Sequence, residues 1–362
     1  MNVWFCKRPR RCFSLKKKIS IYAVLIVVIC FLMLYRLDAY IMKPGSAYDV
    51  SKFVNVENNH TDDKGSMSLM TVAMQQATPF SYLWAKTQKY QKLMDIEQVR
   101  NPLEDEEEYN VRQFKLMSDS QFNAKYVAFQ RAGLQTKIIF NGVFVLNVLD
   151  GGASDNVLKA GDEIIEVDGQ KIKNQQMLVD LLKPKQLGDK VTIKFNRNTK
   201  EQEVTITLKE IPKSEEKRAG LGITYTESKS IETNPSVSMK TEDIGGPSAG
   251  LMFTLEILDQ LLEEDLTKGY AIAGTGEMLV DGSVGRIGGI DYKVIAADRD
   301  GMEIFFAPDD EITPEMKAKY PELESNYATA VKTAKEIGTK MKIVPVKTVD
   351  DAIAYLKQLQ PK

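Results

Sequence analysis

The first feature of the apolar pattern is an unbroken run, Ile19 to Tyr35, 17 residues without a charge and rich in Ile, Val and Leu. Two shorter apolar-rich stretches follow, Tyr48–Val56 and Ser66–Met74, parted by a polar segment from Asn58 to Gly65. Their composition and the turn between them predict two strands forming a hairpin. From Thr78 to about Met94, Phe80, Leu83, Trp84, Tyr90 and Leu93 recur at spacings that predict a helix. The acidic cluster Glu104–Glu108 opens a second helical pattern that runs to about Arg131, and acids suit a helix N-terminus. None of these residues forms a recognisable chemical motif, so residues 38–127 are expected to be an α/β spacer.

Near Gly133 the texture changes to short strands and turns. Gly142–Leu149 is a β-rich apolar run, and Asn174–Leu182 predicts a short amphipathic helix ending near Pro184. Val191, Ile193 and Phe195 alternate with polar residues, as do Val204, Ile206 and Leu208, across the turn at Asn196–Lys200, which predicts a hairpin. Leu221–Thr226 and Ser236–Met239 read as strands after the charged linker Lys213–Arg218. Leu251, Leu255, Leu258 and Leu262 then mark an amphipathic helix. Glycine-punctuated strands from Ala271 lead to another helix starting near Ile290. Glu303–Ala307 and Met341–Val346 close the pattern as strands, and Thr348 with Asp351 predicts a capping box for the last helix.

Charge changes the picture at the N-terminus. The 362 residues carry 48 Lys and Arg against 50 Asp and Glu, but seven of the basic residues lie within residues 1–18, where there is no acid. The remainder is mildly acidic, which excludes the clustered basic face of a nucleic-acid binder. A basic tail at 1–18 before the apolar run predicts a single-pass anchor at 19–37, with the N-terminus cytoplasmic and everything after Arg36 outside the cell. The rival is a cleaved signal peptide, for which Gly45-Ser46-Ala47 is a poor cleavage site. All three cysteines, Cys6, Cys12 and Cys30, fall in or before the run, so no disulfide or thiol nucleophile is expected beyond it. Acylation of Cys6 and Cys12 has less support than two free thiols.

Candidate chemistry concentrates late in the chain. A glycine-rich loop at Asp243-Ile244-Gly245-Gly246-Pro247-Ser248-Ala249-Gly250 opens the leucine-marked helix. A serine at such a junction lies among unpaired backbone N–H groups, the donors an oxyanion needs. The same position also suits a plain helix N-cap. The single histidine, His60, lies in a polar turn far upstream, which disfavours a Ser-His-Asp arrangement and excludes histidine-rich zinc sites. A nucleophilic serine here needs a lysine or a carboxylate as base. Lys293, flanked by Ile290, Val294 and Ile295 on the first turn of a helix, is a lysine that burial and the helix N-terminus would make less basic. A surface lysine on an amphipathic helix is the alternative. No Gly-x-x-x-x-Gly-Lys-Ser/Thr loop occurs anywhere, so no nucleotide, cofactor or metal is expected.

Two resemblances give these residues roles. Ala160-Gly161-Asp162-Glu163-Ile164-Ile165-Glu166-Val167-Asp168-Gly169, following a β run, resembles the signature of a PDZ domain of the bacterial protease type, placed at residues 128–212. That likeness implies an extended peptide adding beside Val143, Phe144, Val145 and Leu146, with Asn174–Leu182 as the other wall of the groove. Pro247-Ser248-Ala249-Gly250, Thr275-Gly276-Glu277 and Gly288-Gly289-Ile290-Asp291-Tyr292-Lys293 occur in the order found in the proteolytic domain of the Lon peptidase family, placed at residues 216–358. That likeness implies Ser248 as nucleophile, Lys293 as base and Thr275 orienting the amine. It also implies that backbone N–H groups of the loop Gly246–Ala249, which contains Pro247, stabilise the oxyanion. Gly245 stands where many of that family carry an acid, leaving Asp243 as a candidate carboxylate.

The expected fold class is an α+β multidomain chain: a single N-terminal transmembrane helix, a PDZ-like β-rich module and an α/β Lon-type proteolytic domain. The whole resembles membrane-bound PDZ–Lon proteins of Gram-positive bacteria. It implies an ATP-independent serine endopeptidase acting on peptides or unfolded protein segments outside the cell, and leaves a homo-oligomer open. The alternatives are a non-catalytic PDZ scaffold and a Ser-Lys enzyme of the signal-peptidase kind.

Overall fold

The computed structural model describes residues 10–59, 64–102, 104–214, 217–241 and 244–362, with nothing on the side chains of 10–17. Cys6, the side chain of Cys12, His60, Asp243 and most of the basic tail lie outside the described residues. The chain divides into two units, one of residues 1–44 and 72–100, the other of 45–71 and 101–362.

The first unit contains helix α1, Arg10–Leu34. It also holds the start of strand β1, Ala39–Asp49, and the end of strand β2, Ser66–Gln76. Helix α2, Pro79–Ala85, and strand β3, Lys92–Asp95, complete it. Ile41 pairs with Leu93 across the antiparallel β1–β3 ladder, and Ala39, Ile41, Ala77 and Ala85 form its small core. The helix expected from Thr78 to Met94 is therefore short. Thr78 and Ser81 cap its start reciprocally and Pro79 fits the first turn. It stops by Lys86, because Leu93 is drawn into the ladder instead.

Among the described residues no helix is long and apolar enough to cross a membrane. This corrects the anchor expected at 19–37, and with it the transmembrane part of the expected fold class. Helix α1 ends at Leu34. Its apolar part, from Ile19, rises about 25 Å against the roughly 30 Å of a bilayer core.

The second unit holds two large sheets and smaller two-stranded ones. One of the large sheets joins the start of β2 in parallel to three strands from late in the chain. Before those strands in sequence come the elements of the PDZ-like module. These start with helix α3, Glu106–Arg131, and strand β4, Thr136–Val148. Strand β5, Glu163–Val167, and helix α4, Gln175–Leu182, follow. Strands β6, Lys190–Arg197, and β7, Lys200–Thr207, complete them, and β8, Ile223–Thr233, joins their sheet from beyond the module. The expected hairpin is β6–β7, with Val191 opposite Ile206 and Ile193 opposite Val204. The spatial order is β8-β4-β5-β6-β7, so the last strand in sequence flanks the first.

The chain continues with helix α5, Gly250–Leu261, strand β9, Ala271–Gly274, and helix α6, Ile290–Arg299. Strand β10, Ile304–Pro308, helix α7, Asn326–Ile337, strand β11, Lys342–Val346, and helix α8, Val349–Gln358, end it. Residues 66–69 of β2, β9, β10 and β11 run parallel, in register Ser66–Ala271, Ile272–Ile304 and Ile304–Lys342. Parallel sheets are covered on both faces, so their strands read as continuous apolar runs. Here Ile272, Ile304 and Phe306 join the core with α3, α5 and α8, while Ala273, Phe305 and Ala307 join the core with α6 and α7.

The region expected to be a spacer, 38–127, is largely built into this second unit. Val50, Val54, Val56, Met67, Leu69 and Met117 belong to the core beneath α5. The pairing expected between 48–56 and 66–74 is shifted to earlier residues: β2 lies beside β1, with the Ser46 N–H bonded to Thr71 Oγ1 at 3.0 Å. A short 3-10 turn at Val50–Lys52 interrupts the first stretch, and Val54–Val56 pairs instead with Val237–Met239.

Candidate active site

The site forms where β9 ends. In parallel α/β sheets, groups at the carboxyl ends of strands are exposed to a crevice between flanking helices. Thr275 follows the last residue of β9, the loop into α5 arrives from one face, and the first turn of α6 arrives from the other. Three residues predicted from separate motifs meet there. Lys293 Nζ lies 2.7 Å from Ser248 Oγ and 2.8 Å from Thr275 Oγ1. Thr275 Oγ1 donates to the Ser248 carbonyl at 3.0 Å, and the Gly276 N–H reaches the same oxygen at 2.9 Å.

Ser248 is not the helix N-cap that its position also allows. Ala249 occupies that place, and no side chain caps α5. Gly250 begins the helix because nothing larger fits. A Cβ there would meet the Met278 nitrogen at 2.7 Å and Ser120 Oγ at 2.9 Å. At the other helix, Gly289 adopts φ 67°, a left-handed conformation that costs glycine little, and its carbonyl accepts the Lys293 N–H.

Lys293 is 2% exposed and packed on the side of the sheet lined by Ile290 and Val294. Burial without a charged partner lowers its pKa from the ordinary 10.5 to about 7. In its neutral form the amine can donate one N–H to Thr275 Oγ1. Thr275 donates its own hydroxyl hydrogen to the Ser248 carbonyl, and the amine lone pair is left facing the Ser248 hydroxyl. Burial also raises the pKa of Glu277, next to this loop.

The expected oxyanion loop needs one correction. Gly246 donates its N–H to the Gln113 carbonyl at 3.0 Å, and Pro247 has no N–H. The backbone N–H groups of Ser248 and Ala249 have no partner among the described residues. Gln113, Ser120 and Asn123, all on α3, also touch this region and were not foreseen. Ser120 Oγ donates to the Pro247 carbonyl at 3.0 Å, and Asn123 Nδ2 donates to the Met278 carbonyl at 2.8 Å. The sequence carries only part of the signal: Gln113 and Ser120 share a helix stripe with apolar Met117 and Ala124, which marks polar groups on a buried face but not what they bind.

The peptide-binding strand expected at Val143, Phe144, Val145 and Leu146 is not an open edge. On one side Val143, Phe144 and Val145 pair with Glu227, Thr226 and Tyr225 of β8. On the other, Val143 and Phe144 pair with Ile164 and Glu163, and Val145 exchanges bonds with Gly161 and Asp162. The edge strand is β8, and a cavity of about 630 Å³ separates it from α4. Leu178 and Leu182 line one wall, Leu221, Ile223 and Tyr225 the other, with Arg218 among the lining residues. Helix α4 lines this cavity, and the strand across from it is β8 rather than β4.

Comparison with known proteins follows the same division. Residues 213–357 match the model of the Lon protease (S16) C-terminal proteolytic domain, and residues 118–208 match that of the PDZ domain. The chain is 33% identical over 135 residues to a Lon protease of Ureaplasma parvum, 37% of this chain and 17% of the relative. It is 27% identical over 111 residues to a Lon protease of Aster yellows witches'-broom phytoplasma, 31% of this chain and 12% of the relative. A probable periplasmic serine endoprotease DegP-like of Halomonas elongata is 37% identical over 71 residues, 20% of this chain and 15% of the relative. Among solved structures, the PDZ domain of an SdrC-like protein from Listeria monocytogenes is 35% identical. It covers 25% of this chain and 92% of that one at a TM-score of 0.23. The chain spans between 11% and 17% of the length of the curated relatives it matches. A PDZ domain and a Lon-type C-terminal proteolytic domain in one chain support a serine peptidase.

Proposed function

We propose that the chain is a serine endopeptidase with a Ser248–Lys293 dyad that needs no nucleotide and takes its substrate from the PDZ domain. The observation that carries this reading is the 2.7 Å approach of a buried lysine, with no carboxylate beside it among the described residues, to a serine in a loop before a helix. Neutral Lys293 takes the Ser248 proton as Oγ attacks the peptide carbonyl carbon. The resulting oxyanion lies toward the N–H groups of Ser248 and Ala249. The protonated lysine gives its proton to the departing amine as the C–N bond breaks, leaving an ester on Ser248. Water then attacks that ester while Lys293 accepts its proton, and the proton passes to Ser248 Oγ as the ester bond breaks and the carboxylic acid leaves.

The groove between α4 and Leu221–Tyr225 supports a role in substrate presentation. An extended peptide can add to the β8 edge by main-chain hydrogen bonds while its side chains enter the apolar trough. Without a nucleotide-driven motor the enzyme would cut peptides, tails and exposed loops rather than folded domains.

The test incubates the full chain, without ATP, with casein and a peptide library, alongside Ser248→Ala and Lys293→Met. Cleavage by the parent protein, lost in both variants and unaffected by added ATP, is expected. Cleavage that survives in both variants would place the active centre elsewhere.

A further inference from the structure

We infer that α3 is a positioning element for the nucleophile loop, and that Ser120 and Asn123 set its reactive geometry. The inference rests on the peptidase reading above, and concerns residues outside the matched proteolytic segment, 213–357. Helix α3 holds the loop at two places and the segment after Thr275 at a third. Its Gln113 carbonyl takes the Gly246 N–H at 3.0 Å, Ser120 Oγ binds the Pro247 carbonyl at 3.0 Å, and Asn123 Nδ2 binds the Met278 carbonyl at 2.8 Å. Met278 lies two residues past Gly276, which itself binds the Ser248 carbonyl. The nucleophile loop and the segment that follows Thr275 are thus fixed to one helix.

That helix is well anchored. Met117, Ala124, Val127, Ala128 and Phe129 are buried in the same core as α5. Ser120 is 2% exposed and fills the space against Gly250, so its hydroxyl has no room to turn to solvent. The consequence for chemistry is selective. By occupying the Gly246 N–H, α3 removes one donor from the oxyanion site and leaves Ser248 and Ala249 to serve it. At the other end, Glu108 accepts from Asn147 Nδ2 and from the Val148 N–H of β4, so the same helix reaches the PDZ sheet.

A group that only stabilises the fold and a group that positions the serine give different results in one measurement. The full chain and its Ser120→Ala and Asn123→Asp variants are reacted with a fluorophosphonate, which labels nucleophilic serines without needing the peptide groove. Loss of folded protein lowers the amount labelled; misplacement of Ser248 lowers the rate constant. The expected result is a rate constant down about tenfold or more in each variant, matched by kcat with KM unchanged. The midpoint of the acidic limb should stay at about 7, because Lys293 remains buried. Parent-like rate constants in both variants would overturn the inference while leaving the peptidase intact, whereas a parent protein that neither labels nor cleaves overturns both. Should neither variant fold, amide exchange in the parent protein decides: Gly246 must exchange much more slowly than Ser248 and Ala249, and equal exchange sinks the idea.

Discussion

The proposed catalytic crevice and the groove beside the PDZ sheet lie in the same unit of the chain but are built to opposite requirements. In the crevice, three side chains and one carbonyl bind one another within 3.0 Å, and the lysine among them is buried with no counter-charge among the described residues. In the groove, the walls are apolar side chains and the edge of a strand, with charge only where residues such as Arg218 line it. Proton transfer needs fixed atoms whose pKa is tuned by exclusion of water. Recognition of an extended peptide needs an unpaired edge and a trough. Substitutions in the two regions should therefore separate kcat from KM, and each prediction below tests that separation.

The largest effect belongs to the dyad. Ser248→Ala and Lys293→Met should each lower kcat at least about a thousandfold, with KM for a groove-bound peptide little changed. Combining them should cost no more than either alone, since the two act as a unit. A double variant far worse than both singles would show that the two residues act separately. Lys293→Arg should be as inactive as Lys293→Met, because guanidinium does not lose its proton at any working pH.

Acid should come next. Lys293 works as a base only when neutral, and its pKa lies at about 7. Activity should fall about tenfold per pH unit below 7 and level off above it. Stability carries the same signature. Between about 7 and 10.5 the unfolded chain holds the lysine proton and the folded chain does not, so stability rises with pH across that window. Below 7 the cost of burying the charge is complete, and Lys293→Met should raise the thermal midpoint there and flatten the slope. An acidic limb centred near 10 would show that the lysine is solvated.

Thr275→Val, nearly isosteric, removes both the acceptor for the amine and the donor to the Ser248 carbonyl. A loss of about tenfold in kcat is expected, with KM unchanged. An effect confined to KM would move Thr275 from the chemistry to substrate binding.

The same contrast explains what could be read from the sequence. Ser248, Thr275 and Lys293 were legible because each sits in a short glycine-marked motif, and the strand–turn–helix order around them leaves few ways to assemble. The parallel strands Glu303–Ala307 and Met341–Val346 were legible as apolar runs. The groove was not. An apolar strand such as Val143–Val148 shows that it is buried, but not which neighbour pairs with it, and β8 arrives from beyond the module to close that edge. Helix α3 was visible as a helix, yet the partners of Ser120 and Asn123 lie 127 and 155 residues away, and nothing local encodes them. The first helix was overread because composition fixes that a run is apolar, while its helical length decides how far it reaches.

The smallest effect should come from Arg218. It lines the groove at an exposed position, so an ion pair with a peptide's terminal carboxylate contributes under about 1 kcal/mol. That is about twofold to fivefold in KM, with kcat untouched. Arg218→Ala should produce this change for a peptide with a free C-terminus. Amidating the peptide should produce the same change with the parent protein. Once one partner is removed, removing the other should do nothing further, since a pairwise interaction is lost only once. Additive losses would mean that the carboxylate and Arg218 meet different partners, and a change in kcat would mean that the groove reaches the crevice after all.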